Sequence, residues 1–291
     1  MRRDRQAVTY HYDVSNAFYS IWLDKRMVYS CAYFTSPDDD LDTAQEKKLD
    51  YLCRKLRLQR GNRMLDIGCG WGGLVIHAAK NYGVEAHGIT LSGPQADLAN
   101  ERIRQMGLSA YCRVEVRDYR EMDAQESYDK LVSVGMFEHV GEPRLREYFQ
   151  AAFRLLRPGG TFLNHGIASN SGISAIPGPS FSDYYIFPDG ELLPLGTTLL
   201  AAEASGFEVR DVECLREHYV LTLRKWLERL ESRREEACGA TEERTYRLWR
   251  LYLAGATHKF RTGRNSVYQT LLSKPFHGNS GLPLTRGDWY A

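Results

Sequence analysis

Glycines recur at 68, 70 and 73 in LDIGCGWGG, residues 65–73, where an apolar run gives way to a helical pattern. At a strand-to-helix turn glycine accepts positive φ and lets the backbone approach a ligand, so the chemistry expected is nucleotide binding at a helix start. Gly68, Gly70 and Gly72 are the candidate backbone contacts. The G-x-G-x-x-G spacing of Gly68, Gly70 and Gly73 also admits a dinucleotide oxidoreductase. That fingerprint wants an acid about 20 residues on to hold a ribose, and the stretch ending HGITLS offers none. Acids lie instead at Asp66, two residues before Gly68, and at Asp118. Thr90 and Gln95, in GITLSGPQ, can supply neutral hydrogen bonds in place of the absent carboxylate, although a glutamine there can also merely decorate a helix's first turn. Two further polar residues follow apolar runs: Glu138 in SVGMFEHVG and His165 in NHGI. Each alone is ordinary. The Glu138-His139 pair does not make a metal site, because adjacent residues rarely point at one ion and no H-x-x-x-H or cysteine cluster supports it.

The elements that must position these residues alternate. Strands are expected at 63–68, 84–90, 110–116, 128–135, 160–167, 207–213 and 266–272. Helices are expected near 73–82, 94–106, 143–156, 196–205, 216–237 and 242–260, the third stopped by RPGG. Such alternation predicts an α/β fold, a mostly parallel seven-stranded sheet with helices on both faces. Glu138 and His165 then sit at the carboxyl ends of the fourth and fifth strands, where open α/β sheets bind ligands. Residues 168–194, rich in Gly, Pro and Ser, break the rhythm and are expected to form a lid-like insertion or a packed loop over the sheet edge. The chain divides into an aromatic N-terminal segment (1–60), a cofactor-binding core (61–167), the insertion (168–194) and the rest of the sheet with covering helices (195–291), all in one catalytic domain (1–291).

Composition bounds the function class. Lys plus Arg number 38 and Asp plus Glu 37, which gives no argument for nucleic acid. No apolar run approaches the roughly 18 residues of a membrane span, and MRRDRQAV is not followed by the apolar stretch of a signal peptide. A cytoplasmic protein is the expectation, with cysteines at 31, 53, 69, 112, 214 and 238 reduced because they show no paired spacing. Residues 10–34 carry eight Tyr, Phe or Trp in 25 positions. Val14, Ala17, Phe18, Ile21 and Trp22 recur at helical spacing and suit a core-packed helix; Tyr29 to Phe34 keep no helical period.

The acids Asp66 and Asp118 around a glycine turn resemble those of S-adenosylmethionine-dependent methyltransferases. The longer stretches HYDVSNAFY, YSCAYF, LDIGCGWGG, GITLS, SVGMFEHVG, NHGI, YIFPDGELLP and YLAGATHKFR, in order along nearly the whole chain, resemble the cyclopropane fatty acid synthases and mycolic acid cyclopropane synthases. The resemblance implies a class I methyltransferase fold, S-adenosylmethionine as cofactor, and a bicarbonate ion held by the backbones of Cys31 and Ile167 and the side chains of Glu138, His165 and Tyr252. Cofactor contacts carry over to Tyr29, Ser30, Gly68, Gly70, Thr90 and Gln95. Relatives acting on phospholipids usually have an extra N-terminal domain, so this chain is a compact or a truncated form.

The implied reaction adds a methylene group to the cis double bond of an unsaturated acyl chain. Methyl transfer to an alkene leaves a carbocation that water would capture, so the site must be dry. Aromatic faces stabilise a cation by about 0.5 to 2 kcal/mol each, and Tyr33, Phe34, Tyr184 and Tyr185 are expected to wall the channel with Tyr29. The bound anion then removes a proton, held by Glu138, His165 and Tyr252. Repulsion between anion and carboxylate is relieved either by the bicarbonate hydroxyl donating to Glu138 or by protonation of His165. Expected partners are the acyl lipid, transient contact with the inner membrane surface, and a second copy in a homodimer. Alternatives on the same scaffold are a branch-forming lipid methyltransferase, a small-molecule amine methyltransferase, and a non-catalytic binding module.

Overall fold

The computed structural model describes residues 15–123, 125, 127–170, 172, 181–187 and 190–290. The expectations for Val14 and the aromatics before it, and for most of 171–180, lie outside the described residues.

Seven strands, β1 (Arg63–Ile67), β2 (Glu85–Thr90), β3 (Cys112–Val116), β4 (Tyr128–Val134), β5 (Leu156–Ser169), β6 (Glu208–Cys214) and β7 (Asn265–Ser273), form one sheet in the order β3-β2-β1-β4-β5-β7-β6. Pairings among β1 to β5 are parallel, while β7 is antiparallel to both β5 and β6. The chain order reverses direction between β1 and β4, and at that switch the connections leave to opposite faces and open a crevice at the strands' carboxyl ends. Everything expected to do chemistry hangs over it.

Helices follow the expected alternation. Before the sheet come α1 (Asn16–Trp22) and α2 (Leu41–Lys55); between strands lie α3 (Gly73–Tyr82), α4 (Gly93–Gln105), α5 (Leu145–Leu155), α6 (Phe181–Tyr185) and α7 (Leu195–Ala204). After β6 come α8 (Arg216–Ser232), α9 (Arg234–Ala240) and α10 (Glu243–Arg261). The helix expected over 216–237 is thus broken at Arg233, whose φ of −120° and ψ of 36° leave helical geometry. β5 also starts earlier than RPGG suggested, because Leu156 pairs with Tyr128 and an irregularity between Tyr128 and Lys130 absorbs the glycines. β3 starts later, since Tyr111 is still in a turn, its N–H bonded to Leu108 O.

α2 is a helix that the alternation did not include. Asp40 caps it by accepting from Thr43 N at 2.8 Å, and Leu41, Ala44, Gln45, Lys48, Leu49 and Leu52 share its buried face. That face also buries Lys55, which pairs with Asp211 and Glu213; Lys48 has no such ion pair among the described residues, and a buried charge left so is the sign of something beyond packing.

The aromatic stretch resolves into core. Phe18, Tyr19, Ile21 and Trp22 on α1 are buried and join Trp71, Trp226 and Trp249 in one cluster. Trp71, from the glycine turn, stacks near Tyr19 with centroids 5.1 Å apart and donates its indole N–H to Asn16 Oδ1 at 2.8 Å. The N-terminal segment therefore buttresses the ligand loop. Among the described residues no helix is long and apolar enough to cross a membrane.

Candidate active site

Two cavities occupy the crevice. The first is lined by Tyr29, Ser30, Lys48, Asp66, Gly68, Gly70, Gly73, Thr90, Gln95 and Asp118 among others. The turn that shapes it runs from β1 into α3 with Gly68 at φ 84°, Gly70 at φ 55° and Gly72 at φ 78°. A Cβ on Gly70 would meet nothing within 4 Å, so this backbone faces open space; one on Gly68 would strike Met136 Cβ at 2.6 Å. Gly72 corrects the sequence reading. Its missing side chain would face Ala99 Cβ of α4 at 3.0 Å, so it serves helix packing, and Gly73 lines the cavity in its stead.

The polar groups of this cavity are held in advance. Asp66 is 2% exposed, and its Oδ1 has no hydrogen-bond partner among the described residues. Burial pushes its pKa up to about 7 against the opposing pull of Lys48. Thr90 Oγ1 donates to Gln95 Oε1 at 2.7 Å, fixing both at the first turn of α4. Asp118 accepts from Arg120 N (3.0 Å), Nε (2.9 Å) and Nη2 (2.5 Å). It reaches the cavity wall as half of an ion pair rather than as a lone acceptor.

The second cavity collects all five residues expected around an anion: Cys31, Glu138, His165, Ile167 and Tyr252. The sheet explains how. β4 ends at Val134, opposite His165, while β5 runs on to Ser169. Beyond that point β5 has no strand beside it on this edge until Ser169 bridges Pro194 in parallel, and in the gap Ile167 N–H donates to Glu138 Oε1 at 2.7 Å. The Ile167 amide thus holds Glu138. Glu138 O accepts from Glu191 N at 3.0 Å, so the end of the 168–194 insertion is tied to the same turn.

Glu138 Oε2 and His165 Nε2 are buried and lack partners among the described residues. Burial raises the Glu138 pKa to about 7 and drives that of His165 well below its usual value. Burial thus favours the neutral form of the His165 ring. Gln269 Nε2 lies 3.3 Å from His165 Nδ1; with the amide donating, the ring proton sits on Nε2 and faces the cavity. Tyr252, its pKa raised chiefly by burial, lies within hydrogen-bonding influence of Tyr29 and feels the Glu138 charge. Cys31 keeps its thiol, since burial raises its pKa far above neutrality.

The remaining walls are mostly apolar, with Phe181, Phe187, Leu192, Tyr219, Leu251, Phe260 and Val267, and Lys259 and Asn265 add polar groups. The expected channel residues are elsewhere. Tyr33 stacks on His218 (4.8 Å, 11°) and Phe34 is buried with its N–H donated to His218 Nδ1 at 3.0 Å, because this strand of chain turns toward α8. Tyr184 and Tyr185 are 64% and 45% exposed, on the outer side of the one-turn α6 whose Phe181 and Ser182 face inward. Tyr29, Ser30, Gly135 and His139 line both cavities, so the two spaces meet there. Phe181 and Phe187 belong to the insertion expected as a lid or packed loop, while Lys48, Gly135 and His139 are site residues that sequence reasoning missed; of these only Lys48 carried a signal, as a charge on a largely apolar helical face.

The first cavity fits S-adenosylmethionine: a glycine turn open to a ligand, an orphaned buried carboxylate for the amino-acid ammonium, and a neutral Thr90-Gln95 pair near the ribose position. The second fits a small anion, through two orphaned polar atoms on a carboxyl that holds a proton near neutrality and on an imidazole N–H.

Comparison with known proteins bears on the first cavity. Residues 1–270 match the family described as Mycolic acid cyclopropane synthetase. A "Probable fatty acid methyltransferase" of Pseudomonas putida is 47% identical over 294 residues, covering 99% of this chain and 74% of that protein. The "Cyclopropane-fatty-acyl-phospholipid synthase" of Escherichia coli K12 is 37% identical over 265 residues, 91% of this chain and 66% of that one. A crystal structure of "mycolic acid cyclopropane synthase CmaA1 complexed with SAH and CTAB" superposes with a TM-score of 0.87 at 34% identity, over 92% of this chain and 97% of that one. The chain belongs to the mycolic acid cyclopropane synthetase family and is an S-adenosylmethionine-dependent methyltransferase.

Proposed function

We propose that this enzyme adds a methylene group from S-adenosylmethionine to the cis double bond of an unsaturated fatty acyl chain carried by a lipid, giving a cyclopropane ring. One observation carries the reading: an apolar cavity, with a carboxyl and a neutral imidazole aimed into it, meets the cofactor cavity at Tyr29 and Gly135. When bound, S-adenosylmethionine supplies an electrophilic methyl group and bicarbonate a small base. This chain supplies the surroundings. Phe181, Phe187, Leu192, Leu251 and Val267 take the acyl chain and exclude water, while the rings of Tyr29 and Tyr252 face developing positive charge. His165 Nε2–H and the Tyr252 hydroxyl donate to the anion, and Glu138 Oε2 accepts or shares its proton. A carboxyl whose pKa stands near 7 is suited to that sharing.

A second reading has one observation in its favour, the name of the Pseudomonas putida relative: a methyl or methylene branch in place of the ring. Incubation with S-adenosylmethionine and an unsaturated phospholipid, followed by mass analysis of the acyl chains, separates the two. A gain of CH2 that resists hydrogenation is the ring. A gain of CH2 that takes up hydrogen is the branch. No gain on any unsaturated lipid would sink both.

A further inference from the structure

Gln45 and Lys48 stand one turn apart on the buried face of α2, at 0% and 1% exposure. Gln45 Nε2 donates to Ser30 O at 2.9 Å and to Val28 O at 3.3 Å. Lys48 Nζ donates to Ser30 Oγ at 2.8 Å. The pair clamps the segment at which the two cavities meet. Lys48 itself lines the cofactor cavity beside Asp66.

Packing does not account for a cation there. Removing an ammonium from water costs several kcal/mol unless charge and hydrogen bonds compensate it. Among the described residues Lys48 makes no salt bridge, and its hydrogen bond goes to a neutral hydroxyl. The nearby Asp24 is committed to the backbone, accepting from Val28 N at 2.7 Å and Arg26 N at 3.0 Å. Asp66, by contrast, has an oxygen buried without a partner. One cavity wall thus presents one unmet negative and one under-compensated positive group. The amino-acid end of S-adenosylmethionine is a zwitterion, and burying it requires both of its charges to be met.

We propose that Lys48 is the counter-charge for the carboxylate of that amino-acid end, acting directly and through Ser30, while Asp66 meets the ammonium. Because Ser30 Oγ accepts from Lys48, its own O–H remains to donate into the cavity. Ammonium, hydroxyl and carboxylate then form a chain of charge-assisted hydrogen bonds, the stronger kind. The inference rests on the cofactor site described above.

Calorimetric titration with two ligands tests it: S-adenosylhomocysteine, which has the amino-acid end, and methylthioadenosine, which keeps adenine, ribose and thioether but lacks it. Lys48→Met is expected to weaken S-adenosylhomocysteine by about 10-fold to 100-fold, as for a lost charged hydrogen bond. Methylthioadenosine affinity should not change. Lys48→Arg should recover part of the loss. Equal weakening of both ligands would mean that Lys48 only shapes the fold, and unchanged homocysteine binding would mean that it does not meet the carboxylate; either overturns the proposal. Should Lys48→Met fail to fold, Ser30→Ala decides by the same comparison, with a loss confined to S-adenosylhomocysteine expected and an equal or absent loss overturning it. Failure of the wild type to bind either ligand would instead refute the cofactor site.

Discussion

Glu138 is the residue on which the proposed chemistry turns, and its surroundings make a clean substitution available. Its Oε1 accepts from Ile167 N, and its Oε2 faces the cavity without a partner. Glu138→Gln keeps an acceptor for the Ile167 amide and removes the titratable proton. Turnover should fall about 100-fold or more, in the range of a positioned acid or base and equal to about 3 kcal/mol of barrier. S-adenosylhomocysteine affinity should stay at the wild-type value, because Glu138 lines the second cavity and not the first. Steady-state turnover and calorimetry on the same preparation check both halves. Full activity in the Gln variant would assign the proton transfer to another group.

The β1–α3 turn is the element that separates a structural glycine from a ligand-facing one. Gly68→Ala would put a methyl group 2.6 Å from Met136 Cβ at a φ of 84°, so it should lower the melting temperature as an overpacked, strained site does, by about 1–3 kcal/mol. Gly70→Ala meets nothing within 4 Å; left-handed backbone costs it about 1 kcal/mol, but its methyl group enters the cavity, so the main loss should be cofactor affinity. Melting curves and S-adenosylhomocysteine titration should therefore rank the two variants in opposite orders. The existence of this turn was legible in the sequence, as were all seven strands, because the hydrophobic period switches between short β-branched runs and helical stretches. The convergence of Glu138 and His165 was legible too, through their places at adjacent strand ends. What was hidden depends on direction rather than type. Nothing in GWGG says that Gly72 faces α4 and Gly73 the ligand, and nothing in YSCAYF says that Tyr29 and Cys31 face the cavities while Tyr33 and Phe34 turn to His218. That Ile167 N–H is taken by Glu138 follows only from β5 outrunning β4.

Across the whole molecule, the crevice gathers ionisable groups that the fold holds against their preferred state. Folded pKa values of about 7 for Asp66 and Glu138 exceed their ordinary values of 3.8 and 4.5, and that of Lys48, about 8, lies below 10.5. The carboxyls are raised, so their contribution to stability is complete below about pH 4 and is lost as pH climbs through about 7. Lys48 is depressed, so its contribution is complete above about pH 10.5 and is lost as pH falls through about 8. Both losses are nearly complete between pH 7 and 8, where the ligand-free protein should carry the largest strain from its own site. Removing one of these buried charges should then stabilise the fold, as expected where a site is maintained at the expense of stability. Glu138→Gln should raise the melting temperature at pH 8, with a ceiling of about 3 kcal/mol or several degrees, and should change it little at pH 4.5, where the wild-type carboxyl is already protonated. Asp66→Asn should act in the same direction by less, because it also forfeits the attraction of Lys48. Scanning calorimetry without ligand at the two pH values measures the difference directly. A Gln variant that melts above the wild type by the same margin at both pH values would owe its stability to packing, and the buried charge would not be its source.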